Sequence, residues 1–481
     1  MPSLAEQIIP KRKLLLLASE FILLSSVVFV GTSIVPLADG SFDLEASDWG
    51  RQVLSSLLVA LMCQAALSIN DLYDWKVSQN RRELPHRLLH AAGYAIIALA
   101  IVAFVFQDLL KFPSIGKLSE ETWKLGVLVA LGFLTVGAWR LGFHWFFYRW
   151  NFGERVLVLG AGPRARMIAS LIEDHPISGF EPVGLVASDR DTVPSEDENR
   201  ALPQGQRVVG KADDLADLAD DLRVSRVVVA LEERRGKLPV SALLNARMQG
   251  VRIEEKEAMF ERVAGKIAVE SLRPSYLIYG GGFSKNRVVL VGKRTIDLIA
   301  SVLGLLISAP VCLIAAGLIK LDSRGPVFFS QERVGEDGES FNILKFRTMT
   351  VDAEKDGPVW AKTGDKRITR IGRFLRLSRI DEIPQMINVL RGDMSFVGPR
   401  PERPVFVEQL SEEIPFYPLR HTTKPGLTGW AQVNYPYGAS VEDAAEKLRY
   451  DLYYIKNMNP LFDLNIILRT VGVILFGKGA R

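Results

Sequence analysis

The chain has 481 residues, room for about three domains at roughly 150 residues each. Hydrophobic residues make up 48% and the mean hydropathy is +0.14, too high for a wholly soluble protein, while 24% charged residues exclude an all-membrane one. A net charge of +4 says little about partners, and nothing marks a nucleic-acid binder.

Four apolar stretches in the first third are candidate spans, a bilayer crossing needing about 20 mostly apolar residues. They are Leu14 to Val35, Val53 to Ile69, Leu88 to Phe106 and Leu125 to Phe147. The first is not read as a cleaved signal, because no small-residue cleavage site follows it and more spans do. Basic residues alternate between the loops. Lys11 to Lys13, the loop with Lys76, Arg81, Arg82 and Arg87, and Arg149 with Arg155 fall on one side; the acidic loop with Asp39, Asp43, Glu45 and Asp48 falls on the other. Both ends of a four-helix transmembrane bundle then face the cytoplasm, and so does everything after it. Glu20 and Arg140 are charges inside this region: functional groups, or a pair within the bundle, or snorkelling ends. Cys63 and Cys312 lie in apolar runs and read as inert thiols, too few for a disulfide framework or a zinc site. His86, His90, His144, His175 and His421 are scattered and suggest no metal cluster.

The middle third reads as a cytoplasmic α/β domain of Rossmann-like, doubly wound type. Arg155-Val-Leu-Val-Leu-Gly160 is a strand, Gly160-Ala-Gly162-Pro-Arg-Ala a glycine turn, and Met167 to Ile172 a helix. Val183 to Ala187 and Arg226 to Leu231 are further strands, with a helix at Asp213 to Asp221 between them. Backbone amides at such a helix start can hold a phosphate, so Gly160 and Gly162 are candidate nucleotide-binding positions. Pro163 sits in the turn, and the helpful acid, Asp189, falls in a polar stretch. The favoured reading is therefore a Rossmann-like domain used for packing or regulation. Gly280 to Phe283 and the basic run Lys285 to Arg294 read as a linker at a membrane surface.

The last third carries the chemistry. Thr295 to Leu321 is apolar, with Asp297 and Lys320 near its ends and Pro310 in its middle. Proline removes a backbone hydrogen bond and kinks a helix. The choice is between a fifth span and a helix that enters one leaflet and returns; re-entry is preferred, because it leaves the following polar segment in the cytoplasm. That segment holds Lys345-Phe-Arg347-Thr-Met, then Arg373, Arg376 and Arg379 three apart, then Asp381-Glu382-Ile-Pro384-Gln385, then Gly392-Asp-Met-Ser-Phe-Val-Gly-Pro-Arg400-Pro. The spacing predicts one helical side for the three arginines. Pro384 predicts a helix start there, with Asp381 near the N-terminus and kept ionised by the helix dipole. Arginine forks suit phosphate, and a set of them beside a carboxylate pair is what phosphoryl transfer needs.

This segment resembles the monotopic phosphoglycosyltransferases, the bacterial sugar transferases of capsule and exopolysaccharide initiation. The resemblance runs from about Lys293 to Arg481. It rests on Lys293-Arg294-xx-Asp297, Pro310, Leu321-Asp-Ser-Arg-Gly-Pro-Val-Phe, the blocks just given, and Lys424-Pro-Gly-Leu-Thr-Gly-Trp-Ala-Gln-Val-Asn434. The spans and Rossmann-like domain look like the large form of the family. The run Asn434 to Gly438 and the end Gly477 to Arg481 look like the branch associated with PEP-CTERM loci. The resemblance implies that Asp381 attacks the sugar-bearing phosphate of a UDP-sugar, expels UMP, and hands the phosphosugar to undecaprenyl phosphate. Glu382 would help bind Mg²⁺ or assist transfer. Asp381 and Glu382 would be the metal pair, Arg376 and Arg400 would contact phosphates or nucleotide, and Lys345 and Arg347 would bind phosphate. Small members carry Ser-Pro at the helix break, whereas here it reads Ser308-Ala309-Pro310. Glucose and galactose are the leading sugars on family grounds, and a homodimer is the assembly the large form suggests.

The sequence thus predicts a multi-pass bacterial inner-membrane enzyme. A bundle occupies 1–150 and a Rossmann-like domain 151–285. A mostly helical α/β catalytic domain occupies 286–481, with its re-entrant membrane helix at about 295–320. A nucleotide-sugar oxidoreductase or epimerase would need a Tyr-xxx-Lys pair near the Rossmann-like domain, and none is there. A non-catalytic assembly or regulatory protein of polysaccharide export remains the alternative. Leu461 to Phe476 is either an interfacial helix or the last core helix.

Overall fold

The structure is a computed structural model. It describes residues 11–38, 46–73, 83–105, 110, 112, 118–149, 153–175, 178–188, 191, 194–232, 238–269, 282–283, 286–351, 353, 365, 367–435, 438 and 440–476. Contacts divide it into two units, 1–227 with 231–253, and 254–481 with 228–230. The loop residues Lys76, Arg81, Arg82, Asp39, Asp43 and Glu45, the acid Asp189, Lys285 and the chain end from Gly477 lie outside the described residues.

The first unit begins with four long helices, α1 (Lys11–Ala38), α2 (Ala46–Ile69), α3 (Glu83–Val105) and α4 (Leu118–Arg149). Each contains an apolar window long enough to cross a membrane. α1 packs on α2 and α4, and α3 packs on the same two. Leu16, Glu20, Leu24, Val28 and Thr32 are spaced by four, so they line one stripe of α1, and all are buried. Ile22 and Val30 on the other side are exposed, as is Phe104 of α3. An apolar exterior of this kind suits lipid.

The charges inside this region pair with each other. Arg140 donates from Nε to Glu20 Oε1 at 2.6 Å, from Nη2 to Glu20 Oε2 at 2.9 Å and from Nη1 to the Leu72 carbonyl at 2.7 Å. Tyr73 donates its hydroxyl to Glu20 Oε2 at 2.8 Å. Both charges are fully buried, so they pin α1 and α4 together and neither snorkels.

A five-stranded sheet follows, from β1 (Glu154–Leu159), β2 (Phe180–Ala187), β3 (Val208–Lys211), β4 (Arg226–Val229) and β5 (Arg252–Glu255). Its order is β3-β2-β1-β4-β5, and β1–β2 and β2–β3 pair in parallel. This is the doubly wound arrangement predicted. Helix α5 (Pro163–Asp174) starts directly after the glycine turn. The outer strands β3 and β5 escape the sequence reading. They are four residues each, at the sheet edges, and carry no fully buried residue.

The second unit is built around α6 (Arg287–Asp322), 36 residues and about 54 Å at 1.5 Å per residue. The helix starts at Arg287, inside the stretch read as a linker, because Asn286 caps it, accepting from Val288 N at 2.9 Å. The basic residues there are anchors. Lys293 Nζ donates to Asp463 at 2.9 Å, the Tyr454 hydroxyl at 2.8 Å and the Val397 carbonyl at 2.7 Å. Arg294 donates to the Val389 and Leu390 carbonyls. Asp297 accepts from Ser395 Oγ and Phe396 N. At the other end Ala315 and Ile319 pack with Phe346 and Leu375, and Asp322 accepts from Ile371 N. Leu306, Ile307, Leu313 and Ile314 between the two docked ends are 64–77% exposed. Pro310 sits within the helix. Ser308 Oγ donates to the Gly304 carbonyl at 2.6 Å, a back-bond that bends helices, rather than to the Leu306 carbonyl that the proline frees.

The rest of the unit is a hairpin of β6 (Phe328–Val334) and β7 (Ser340–Phe346), a parallel pair of β8 (Ser395–Val397) and β9 (Gly426–Thr428), and short helices. The last helix, Pro460–Phe476, packs on α6, β8 and β9 through buried Phe462, Asp463 and Ile466, and so belongs to the core. Lys256–Ala264, placed in the middle domain by sequence, groups with this unit through Glu261, which accepts from Lys456 at 2.6 Å.

Lys293→Met leaves Asp463 buried without its counter-ion, with only the Tyr454 hydroxyl at 2.7 Å still donating to it. That costs about 3–5 kcal/mol. Lys293→Met combined with Asp463→Leu is expected to recover much of that, measured by thermal unfolding in detergent.

Candidate active site

Three pieces of chain meet at one carboxylate. β7 brings Lys345 near its end. The chain then reaches α7 (Arg370–Leu377), capped by Thr369 Oγ1 accepting from Gly372 N at 3.0 Å. After α7 the backbone reverses at Arg379, which takes the left-handed conformation at φ 58°. That costs a non-glycine residue on the order of 1 kcal/mol and is seen where function over-determines geometry. A single 3₁₀ turn, Ile380–Glu382, follows, then Pro384 and α8 (Gln385–Arg391).

The three arginines therefore do not share one helical side. α7 ends at Leu377, before the third of them. Arg376 donates from Nε to Thr348 Oγ1 at 2.9 Å. Arg379 lies beyond the helix, and its Nη1 is 3.6 Å from Glu382 Oε1. Arg400 donates to the same oxygen at 2.8 Å, and Lys345 Nζ lies 3.8 Å from it. The sequence names Arg379 among the spaced arginines, but its contact with Glu382 comes from the reversal, which has no sequence signature.

Burial alone would push Glu382 up, but Arg400, Lys345 and Arg379 hold it well below the ordinary carboxylate range. Asp381 moves the other way. Burial and then the charge on Glu382 raise it, outweighing Lys345, Arg376 and Arg379. Pro384 stands one residue ahead of α8 and three after Asp381, so Asp381 precedes the helix start and burial is the largest influence on it. Asp381 is 8% exposed, and its Oδ1 has no hydrogen-bond partner. Burial lowers Lys345 to about 8 against the pull of Glu382.

Arg347, expected at phosphate, is committed elsewhere. It is 5% exposed and donates to the Ser323 carbonyl and hydroxyl and the Arg324 carbonyl, holding the exit of α6. Other motif residues are also structural. Asn388 ties α8 to β7 through Leu344 N and the Asn342 carbonyl, and Lys424 holds the Gly392 carbonyl. Among the described residues no three His, Cys, Asp or Glu side chains gather as a metal site. The Asp381–Glu382 pair fits Mg²⁺ only as a partner to substrate phosphates, the ordinary mode for this ion. The bare Asp381 Oδ1 is consistent with that.

At the glycine turn of the first unit, Gly160 has φ 127° and Gly162 caps α5 in extended conformation. The phosphate seat is filled by the chain's own acids. Asp191 Oδ2 accepts from Ala161 N at 3.0 Å and Ser188 N at 2.8 Å, and Glu232 Oε1 accepts from Arg164 N at 3.0 Å. A bound phosphate would have to displace two carboxylates. The geometry favours packing over cofactor binding.

Residues 288–477 match the family described as bacterial sugar transferase, and residues 68–253 match one described as a CoA-binding domain. A UDP-glucose:undecaprenyl-phosphate glucose-1-phosphate transferase of Klebsiella pneumoniae is 32% identical over 444 residues, 89% of this chain and 90% of that one. A protein of the same description from Escherichia coli K12 is 30% identical over 432 residues, 87% of this chain and 88% of that one. A UDP-N-acetylgalactosamine-undecaprenyl-phosphate N-acetylgalactosaminephosphotransferase of Aeromonas hydrophila is 43% identical over 221 residues, 46% of this chain and about half (52%) of that one. The fold, the Asp381–Glu382 turn and these likenesses agree: the chain belongs to the bacterial sugar transferase family, in its large form, and is a membrane protein.

A buried acid whose value is raised favours its protonated form in the fold, so its charge opposes folding above the ordinary Asp range. Asp381→Asn is therefore expected to leave the melting temperature unchanged or raise it at pH 7.5, with the gain shrinking toward pH 4. A lower melting temperature at pH 7.5 would contradict this assignment.

Proposed function

We propose that the protein transfers a hexose-1-phosphate from a UDP-sugar to undecaprenyl phosphate at the bacterial inner membrane, opening exopolysaccharide synthesis. One observation carries the reading. Asp381 keeps an unpartnered carboxylate oxygen beside Glu382, whose own charge is held by Arg400, Arg379 and Lys345.

An Asp381 oxygen attacks the phosphorus that bears the sugar. The bond from that phosphorus to the bridging oxygen breaks, and UMP leaves with the electron pair. An oxygen of undecaprenyl phosphate then attacks the same phosphorus, the bond to Asp381 breaks, and the carboxylate returns. A phosphate monoester has a second pKa near about 6, so the acceptor needs no strong base. Raised as it is, Asp381 still titrates as an acid, and it attacks only when ionised. Arg376, Arg400 and Lys345 supply positive charge to the diphosphate. Asp381 and Glu382 are the residues that would hold Mg²⁺, which would supply further positive charge to the diphosphate.

The membrane helix suits this chemistry. Both ends of α6 dock on the catalytic unit, while its apolar middle, around Pro310, stays exposed. A crossing helix would carry its ends to opposite faces of the bilayer. Entry into one leaflet and return lets both ends stay on the cytoplasmic side, where nucleotide sugars are.

The test is UMP release from UDP-glucose, UDP-galactose and UDP-N-acetylgalactosamine, with undecaprenyl phosphate and Mg²⁺. Release that depends on lipid and vanishes in Asp381→Asn is the expected result, and the donor names the sugar. The acid limb of the rate profile should lie above the ordinary Asp range of about 4. Equal release from the variant, or none from the native protein, returns the reading to an export-assembly protein.

A further inference from the structure

Buried polar atoms nearly always have partners, so those that lack one mark strain or a missing ligand. Two such atoms lie one turn apart beside the reaction centre. Asp381 Oδ1 is one, and Gln385 Nε2 is the other. Gln385 is 3% exposed, so water does not satisfy its amide from the surface.

The backbone between them fixes their relation. Ile380–Glu382 is a 3₁₀ turn, Ile383 and Pro384 are both right-handed helical, and α8 begins at Gln385. Residues four apart on such a run lie on the same side, with Cβ atoms about 5–6 Å apart. One atom is a donor and the other an acceptor, yet they do not bond each other. A group that accepts from the amide and can join the carboxylate would fill that gap. Packing supplies a reason for the burial. Gly304 of α6 faces Met386 Sδ, so the membrane helix covers the start of α8 beside Gln385. Ser301, one turn earlier on α6, is also fully buried, and its hydroxyl has no partner, although Ser308 on the same helix back-bonds in the usual way.

We propose that the Gln385 amide Nε2 donates a hydrogen bond to a non-bridging oxygen of the phosphoryl group that reacts at Asp381, so that Gln385 is a binding residue for the transferred phosphosugar. The inference rests on the transferase reading. A neutral donor suits this place. The arginines and Lys345 already balance charge, and a planar amide adds direction without another cation. The phosphoryl group that reacts at Asp381 comes from the donor, so the effect falls on the first half-reaction, and the two half-reactions distinguish this from a contact to the acceptor's phosphate.

The full-length protein in detergent serves for the test, as native, Gln385→Leu and Gln385→Glu. Leucine keeps volume and removes the amide; glutamate removes the donor and adds charge. Three readouts are taken: the UMP burst with UDP-sugar and no lipid, steady-state UMP release with undecaprenyl phosphate, and melting temperature with and without UDP-sugar. Gln385→Leu is expected to slow the burst and the steady-state kcat by about 100-fold, the usual loss for one preorganised donor. KM for the UDP-sugar should change less. Gln385→Glu should be slower still. The ligand-free melting temperature of Gln385→Leu should stay level or rise, since the amide makes no bond to lose, and the increase in melting temperature on adding UDP-sugar should shrink.

Full activity in Gln385→Leu overturns the proposal. So does a loss of activity matched by a lower ligand-free melting temperature, which is the mark of a structural residue. A normal burst with only the lipid-dependent step slowed overturns it too, and assigns the amide to the acceptor's phosphate. A native protein silent with every UDP-sugar removes the transferase reading and this inference together; a native protein that is active beside an unaffected Gln385→Leu removes this inference alone.

Discussion

Glu382 Oε1 gathers three cations, from β7, from the reversal after α7 and from the segment after β8. The rest of the catalytic unit can be understood as the means of bringing them there. Asn388 fixes β7 to α8, Thr369 starts α7, and the left-handed Arg379 turns the chain so that its own side chain comes back to its neighbour's carboxylate. Because those charges satisfy Glu382, Asp381 is left buried next to a stable anion with one oxygen uncommitted. Two adjacent carboxylates thus separate into a fixed charge and a raised one with an open oxygen, through environment alone.

The same unit solves a second problem, holding an apolar helix without letting it drift. Lys293, Arg294 and Asp297 give α6 polar anchors at one end, and Asp322 with Ala315 and Ile319 gives it a seat at the other. The buried Lys293–Asp463–Tyr454 group is costly to desolvate, so its worth lies less in net stability than in setting where the helix sits. In the first unit Glu20 and Arg140 do the same between α1 and α4.

Much of this was legible. The four apolar stretches and the strand–glycine–helix start stand where spacing put them, because long apolar runs and glycine turns are local signals. Edge strands β3 and β5 were not, since a four-residue strand with partly exposed side chains has no periodicity to read. The contacts of Arg347 escape the sequence for a different reason. An arginine fork binds backbone carbonyls as readily as phosphate, and only the fold shows that Ser323 and Arg324 stand in front of it. Asp191 was unreadable as well: it reaches Ala161 N across 30 residues of sequence, and nothing local announces that a side chain will sit in a phosphate seat.

The docked ends of α6 also bear on how the chain meets lipid. Helices that span a bilayer must match its full hydrocarbon thickness, and they tilt or deform it when they do not. On the proposed re-entry, α6 would measure only the leaflet it occupies. Thickening the membrane would then strain α1 to α4 while leaving the seat of α6 untouched, so one chain would carry two rulers of different length.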